Sequence, residues 1–165
     1  MAGPDPSIQN YSVRQGSRAA PEEFARRYRR RPIVLVADDD PSLLRLVKKA
    51  LELAQLDVWL AASGREAIEL YQLCGGSVAV VLLDIRMTEM DGLQTASALR
   101  EINPDVSVGF MTADYDSADV NELFRQSGVR SFRKPFHLDE LVRVIWEMVD
   151  ESRQSSAAAC DEQPA

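Results

Sequence analysis

Short apolar runs alternate with amphipathic runs along this chain, and this alternation restricts the possible folds more than any other feature. The apolar runs predict five strands, at Ile33–Ala37, Val58–Ala61, Val78–Leu83, Val106–Met111 and Val129–Phe132. Several runs are continuously apolar, which is typical of parallel strands covered on both faces. Repeated strand–helix pairs build a parallel sheet between two layers of helices. We therefore expect an α/β domain with a doubly wound, five-stranded parallel sheet flanked by five helices.

The amphipathic runs carry signals for the ends of helices. Asp40 can cap the first helix, with Pro41 in its first turn. Ser63 and Glu66 have the spacing of a capping box for the second helix. The third helix should end before Pro104, because the residue that precedes a proline disfavours helical geometry. Apolar spacing predicts two further helices, whose inward-facing residues are Val120, Leu123 and Phe124, and then Leu138, Leu141, Ile145 and Met148.

Both ends of the chain differ in composition from the middle. Residues 1–31 hold seven arginines and three acidic residues, with many Pro, Gly and Ser, and we expect a disordered, Arg-rich extension. Residues 153–165 are rich in Gln, Ser and Ala and are expected to form a flexible tail. The folded domain is then residues 32–152. The arginines of 26–31 either form a solvated tail or contact an acidic partner, a nucleic acid or a membrane surface.

Charge and apolar content narrow the class of function. The net charge is −7, and residues 32–152 carry eleven basic and twenty-one acidic side chains. This balance argues against a core that neutralises nucleic-acid phosphates and suits a domain that collects a cation. No stretch approaches the roughly 18 apolar residues of a membrane span. We therefore expect no membrane partner. The two cysteines, Cys74 and Cys160, lack a CxxC partner, which is typical of a reducing compartment, so we expect a cytoplasmic protein.

Polar side chains stand where four of the five predicted strands end. In a doubly wound sheet, functional groups gather outside the carboxyl ends of the strands. If the first, third, fourth and fifth strands are neighbours in the sheet, carboxylates, a hydroxyl and an ammonium meet in one pocket. The groups are Asp38, Asp39 and Asp40 after the first strand, Asp84 after the third, Thr112 after the fourth and Lys134 after the fifth.

Crowded carboxylates repel one another, so the cluster predicts a bound cation. An oxygen-only set of ligands suits Mg²⁺, and Asp40 is the acid most readily explained as a helix cap alone. With Mg²⁺ present, an aspartate can act as the nucleophile in phosphoryl transfer. Lys134 would then pair with the phosphoryl group, and the Thr112 hydroxyl would bind another phosphoryl oxygen.

Four motifs together resemble the receiver domains of bacterial response regulators. They are IVLVADD at Ile33–Asp39, VVLLDIRMTEMDGLQ at Val80–Gln94, FMTAD at Phe110–Asp114 and RKPF at Arg133–Phe136. The resemblance covers about residues 32–150 and implies a flavodoxin-like sheet in the order 2-1-3-4-5.

The resemblance also implies a role for each residue of the pocket. It makes Asp84 the phosphoacceptor, Thr112 a switch hydroxyl and Lys134 the phosphate-pairing amine. Mg²⁺ would be bound by Asp38, Asp39 and Asp84, and by the main-chain oxygen of Arg86. The phosphoryl donor would be a histidine kinase or a phosphotransfer protein. The output would be binding to another protein, and no sequence-specific DNA binding is expected, because no helix-turn-helix domain follows.

Three features near the pocket need separate interpretation. Thr88 stands where the family usually has proline, which is expected to loosen the loop after Asp84. Strand five is one residue short, so the family's switch aromatic corresponds either to Ser131, counted back from Lys134, or to Phe132, counted forward from Gly128. Phe132 is thus either a switch or a core residue. Arg86 and Asp114 should flank the pocket entrance, and they either form an ion pair that gates water or are solvated independently.

Two other functions remain open at this point. A pseudo-receiver would keep the fold as a docking scaffold without being phosphorylated. A haloacid-dehalogenase-like phosphatase would share the nucleophilic aspartate, but it requires an acid two positions later, where this chain has Arg86. That substitution makes the phosphatase the weaker alternative.

Overall fold

The computed structural model describes residues 30–113 and 129–161. They contain one parallel sheet of five strands in the order β2-β1-β3-β4-β5. The strands are β1 (Ile33–Ala37), β2 (Asp57–Ala61), β3 (Val78–Asp84), β4 (Val108–Thr112) and β5 (Arg130–Arg133). The predicted strand order is confirmed. All five predicted strands are present, and their ends differ only slightly from the prediction.

Helices pack on both faces of this sheet. Those in the described residues are α1 (Pro41–Leu53), α2 (Gly64–Cys74), α3 (Gly92–Ile102) and α4 (Leu138–Asp161), and a short 3₁₀ turn at Gly75–Ser77 follows α2. The helix predicted around residues 120–124 lies outside the described residues, so α4 corresponds to the predicted fifth helix. The third helix ends at Ile102, ahead of Pro104, as predicted.

Side chains near the start of α1 and α2 satisfy their first backbone amides. The Asp40 carboxylate accepts hydrogen bonds from the amides of Ser42 at 2.8 Å and Leu43 at 3.4 Å. At α2, the Ser63 hydroxyl accepts from the Glu66 amide at 3.2 Å. The Glu66 carboxylate accepts from the amide of Ala62, one residue earlier than in the predicted capping box. These bonds fix both helix starts at the carboxyl edge of the sheet.

Two hydrophobic clusters cover the two faces of the sheet, one on each face. On one face, which we call the α1/α4 face, β-strand residues pack against Val47 and Leu51 of α1 and against Leu141 and Trp146 of α4. The other face, the α2/α3 face, packs against α2 and α3 through residues that include Ala67, Tyr71, Ala96 and Leu99. Because both faces are covered, the central strands are continuously apolar, and only the strand ends are available for polar groups.

The ends of the described region differ from the sequence prediction. The prediction of a flexible tail from residue 153 is corrected, because α4 continues to Asp161. This stretch contains no Gly or Pro before Pro164 and includes three successive alanines, the strongest helix formers. At the other end, Arg31 donates a hydrogen bond to Gln55 at 2.8 Å, so it contacts the domain although it was assigned to the disordered extension.

Among residues 30–113 and 129–161, none of the helices combines the length and the apolar content needed to span a membrane.

Candidate functional site

Three buried polar side chains mark the carboxyl edge of the sheet. Asp38 follows β1 and is 1% exposed, Asp84 ends β3, and Thr112 ends β4 with 1% exposed. The strands that carry them are neighbours in the sheet. A buried carboxylate is unfavourable unless a cation or hydrogen-bond donors compensate it, so two of them close together indicate a functional role.

Lys134 joins the two buried aspartates. Its Nζ lies 2.7 Å from Asp38 Oδ2 and 2.9 Å from Asp84 Oδ1. The backbone amide of Lys134 donates to the Thr112 carbonyl at 2.7 Å, and the peptide bond to Pro135 is cis. Lys134 is therefore bonded to the ends of three strands, and it brings together the acids that the sequence placed in one pocket.

The protonation states of Asp84 and Lys134 reflect opposing effects of burial and of nearby charges. Burial raises the pKa of Asp84 above its ordinary value, repulsion from Asp38 and Asp39 adds to the rise, and the hydrogen bond from Lys134 opposes it. For Lys134, burial favours loss of the proton, but the bonds to Asp38 and Asp84 outweigh it and raise its pKa. Lys134 is therefore a cation at neutral pH, and ionised Asp84 remains incompletely compensated.

Asp39 completes a cluster of carboxylates with Asp38 and Asp84. One carboxylate oxygen from each residue lies within 4.8 Å of the others. Asp38 is further fixed by the Asp40 amide, which donates to its Oδ1 at 2.8 Å. The Asp40 side chain itself caps α1, as the sequence suggested, and is not a member of the cluster.

A backbone amide connects the loop after Asp84 to this cluster. Thr88 N–H donates to Asp39 Oδ2 at 3.3 Å. The sequence predicted that a residue other than proline would loosen this loop. The structure shows that Thr88 makes a bond that a proline, which has no N–H, could not form. The looseness of the loop itself stays a prediction.

The start of α3 supports the backbone of Asp84. Gly92 N–H donates to the Ile85 carbonyl at 3.0 Å, and a Cβ on Gly92 would lie only 2.3 Å from the Asp84 carbonyl oxygen. The Asp91 and Gln94 side chains form a capping box just before and after this glycine. This helix start was not predicted from the sequence, although Asp91-Gly92-Leu93-Gln94 has the required spacing.

Phe132 lies in the core, on the face of the sheet opposite Thr112. It is 5% exposed, it is paired in register with Met111, and both belong to the α1/α4 face. Thr112 follows Met111 on β4, and successive strand side chains point to opposite faces. Phe132 also makes an edge-on contact with Phe136, with ring centroids 6.2 Å apart. This placement favours the core role among the two that the sequence left open.

The proposed entrance pair is described only in part. Arg86 is exposed on the loop after β3, but Asp114 lies outside the described residues. The ion pair between Arg86 and Asp114 therefore stays a prediction, as does the main-chain oxygen of Arg86 as a metal ligand.

Comparisons with known proteins agree with this fold. Residues 34–146 match the model of the response regulator receiver domain family. The response regulator receiver protein CpdR of Brucella abortus is 34% identical over 116 residues, which are 70% of this chain and 95% of CpdR. The sensor kinase CckA of the same organism is 33% identical over 118 residues, 72% of this chain, but the match spans only 12% of CckA.

A solved structure gives the same result. The receiver domain of the Francisella response regulator 1452 is 30% identical, has a TM-score of 0.64, and is matched over 73% of this chain and 98% of its own. The doubly wound domain of this chain, which has buried acids at the carboxyl edge of its sheet, is thus a signalling domain of the two-component type. The chain belongs to the response regulator receiver domain family.

Proposed function

We propose that this chain accepts a phosphoryl group on Asp84 from a phosphohistidine of a histidine kinase or phosphotransfer protein, with the help of Mg²⁺. The observation that carries the proposal is the Lys134 ammonium, which bridges Asp38 and Asp84 at 2.7 and 2.9 Å. This arrangement holds a cation beside the carboxylate that would become phosphorylated. A positive charge there stabilises the negative charge of an incoming phosphoryl group.

The carboxylates fit a Mg²⁺ ion. Asp38, Asp39 and Asp84 supply oxygen donors close together, and Mg²⁺ prefers oxygen ligands in such sites. The main-chain oxygen of Arg86 would be a further ligand. When bound, Mg²⁺ offsets the charge of the carboxylates and of phosphoryl oxygens. The excess negative charge of the cluster supports this role, because Lys134 supplies only one positive charge for three carboxylates.

Three residues of the chain have a direct role in the proposed transfer. An Asp84 carboxylate oxygen attacks the phosphorus, a P–O bond forms, and the P–N bond to the donor's imidazole breaks with its electron pair going to the ring nitrogen. Lys134 pairs with one phosphoryl oxygen, and the Thr112 hydroxyl donates to another. The ordered strand ends hold these groups in position, which lowers the entropic part of the barrier.

The output we infer is association with another protein. The surface would include β5, α4 and the segment between β4 and β5, since these elements follow Thr112 and Lys134 in the chain. The aspartyl phosphate would shift the equilibrium between two arrangements of this surface. We place the protein in the cytoplasm, where histidine kinases present their phosphohistidine. In this role the chain is a signalling domain that assists its own phosphorylation and dephosphorylation, and not an enzyme acting on a separate substrate.

A docking scaffold without phosphorylation is the second candidate. It is favoured by Phe132, which lies in the core on the face opposite Thr112, a position from which this ring would not rotate toward Thr112 on phosphorylation. The two candidates differ in whether Asp84 reacts.

The test is incubation of the full chain with Mg²⁺ and a small acyl phosphate, followed by intact mass. We expect a single phosphoryl adduct that requires Mg²⁺ and disappears in Asp84→Asn. Asp57→Asn, which alters an exposed acid at the start of β2, is the matched control and should keep the adduct. An adduct that persists in Asp84→Asn refutes the assignment. A folded chain that never forms an adduct supports the scaffold.

A further inference from the structure

The Thr88 backbone is held from both sides, next to the carboxylate cluster. Its N–H donates to Asp39 Oδ2 at 3.3 Å, and its carbonyl accepts from the Met90 amide at 2.9 Å. The intervening residue, Glu89, has a φ of 68°, a backbone conformation that costs energy for a residue with a side chain. Thr88 and Asp39 are 49 positions apart, so the bond links the loop after β3 to the loop after β1.

We propose that the Thr88 amide positions the Asp39 carboxylate for metal binding and thereby increases the affinity of this chain for Mg²⁺. The inference rests on the proposed function, in which Asp38, Asp39 and Asp84 bind the metal. Thr88 is a positioning residue in this role, because its amide acts through Asp39 and does not itself contact the ion.

The three carboxylates differ in how they are restrained. Asp38 and Asp84 are buried, and Lys134 bonds to both of them. Asp39 is exposed, so packing does not select one side-chain rotamer. The bond from Thr88 holds one of its oxygens, and the carboxylate then loses less rotational freedom when a metal binds.

The same hydrogen bond also withdraws electron density from the oxygen that accepts it, which would weaken metal binding. A carboxylate has about four lone-pair positions on its two oxygens, so one N–H leaves most of them available. At 3.3 Å the bond is also longer than the usual charge-assisted bond. We therefore expect orientation of Asp39 to outweigh the loss of donor strength, and the net effect to be tighter binding.

The experiment compares two substitutions at Thr88 in the full chain. Thr88→Pro removes the N–H, whereas Thr88→Ala removes the side chain and keeps the N–H. In calorimetric titrations with MgCl₂, we expect the dissociation constant to rise about three- to tenfold in Thr88→Pro, the cost of ordering one side chain on binding. Thr88→Ala should bind as the wild type does.

A second variant covers the case in which proline disturbs the loop. Replacing Thr88 by its α-hydroxy acid through nonsense suppression turns the amide into an ester, which removes the N–H and leaves the side chain. Circular dichroism and thermal unfolding without metal establish that each variant is folded. The ester should weaken Mg²⁺ binding as the proline does, and it decides the outcome if the proline variant does not fold.

The remaining results separate the two proposals. If the wild type binds Mg²⁺ and the ester binds it equally well or more tightly, the positioning role of Thr88 is refuted and the metal site stands. If the wild type binds no Mg²⁺ while Asp38, Asp39 and Asp84 are intact, the metal site fails and the inference fails with it. An equal loss of affinity in Thr88→Ala would assign the effect to the side chain and also refute the proposal.

Discussion

Replacing Gly92 with alanine tests how closely α3 supports the backbone of Asp84. A Cβ at this position would lie 2.3 Å from the Asp84 carbonyl oxygen and 3.0 Å from both the Asp84 carbonyl carbon and Ile85 Cα. All three atoms belong to the backbone, so no side-chain rotation can remove the overlap. Relief requires a shift of about 1 Å, since ordinary van der Waals contact begins at roughly 3.4 Å.

The expected loss of stability and of phosphorylation rate in Gly92→Ala follows from the backbone shift that the new Cβ requires. Overpacking of this kind costs about 1–3 kcal/mol in the free energy of unfolding. Alanine is a better helix former than glycine by about 0.5–1 kcal/mol in a helix interior, but Gly92 is the first residue of α3, where that gain is smaller. A displacement of about 1 Å at Asp84 is also enough to slow a positioned reaction about 100-fold. We therefore expect Gly92→Ala to lose both stability and phosphorylation rate.

Gly76→Ala is the matched control, because a Cβ on Gly76 meets no atom within 4 Å. It should leave stability unchanged or raise it by up to about 1 kcal/mol. Urea unfolding gives the stability of both variants, and intact mass after timed incubation with an acyl phosphate gives the rate. If Gly92→Ala matches Gly76→Ala in both measurements, the close support of Asp84 by α3 is refuted.

The other predictions concern helix starts and the charge of the site. Asp40→Ala should lower the free energy of unfolding by about 1 kcal/mol, whereas Asp40→Ser should restore most of it, because serine is also a good N-cap; urea unfolding measures both. Gly64→Ala should be destabilising because its Cβ would lie 2.1 Å from Thr95 Oγ1, and thermal unfolding should show partial rescue by Thr95→Ala in the double variant. Asp84→Asn in EDTA should raise the free energy of unfolding at pH 7, because the raised pKa of Asp84 means that its ionised form opposes folding. Protonated Asp84 favours folding, and this contribution to stability is lost as the pH rises through the pKa of Asp84 in the folded protein. The stability advantage of the Asn variant should therefore vanish in acid. Equal stability of the two proteins at pH 7 would contradict this prediction.

The strand ends were predictable because two simple regularities act together. Apolar runs locate the strands, and the topology of a parallel sheet brings their carboxyl ends to one edge. Four polar residues stand at those ends, so their proximity could be inferred from the sequence alone: Asp38, Asp84, Thr112 and Lys134. Asp40 was also identified as a cap, since an acid followed by proline is a recognisable helix start.

Features that depend on the backbone could not be predicted in this way. The bond from Thr88 to Asp39 uses an amide that nearly every residue possesses, so the sequence carries no signal for it. The contact between Gly92 and Asp84 depends on a separation that spacing does not encode. The extension of α4 to Asp161 was missed for another reason, because a polar composition was interpreted as a tail although no residue there interrupts a helix.

Lys134 also suggests how a change at Asp84 would reach the rest of the domain. Its ammonium bonds to Asp38 and Asp84, while its backbone amide bonds to the Thr112 carbonyl at 2.7 Å. If Asp84 carries a phosphoryl group, the ammonium pairs with the new oxygens, since they bear more negative charge than the carboxylate they replace. With three N–H donors the ammonium can keep Asp38 while it pairs with a phosphoryl oxygen, but its position relative to Asp84 has to change. As the Lys134 backbone is fixed to the end of β4, the adjustment is transmitted to the junction of β4, β5 and α4. Transmission along this route needs no rotation of Phe132, which agrees with its place in the core.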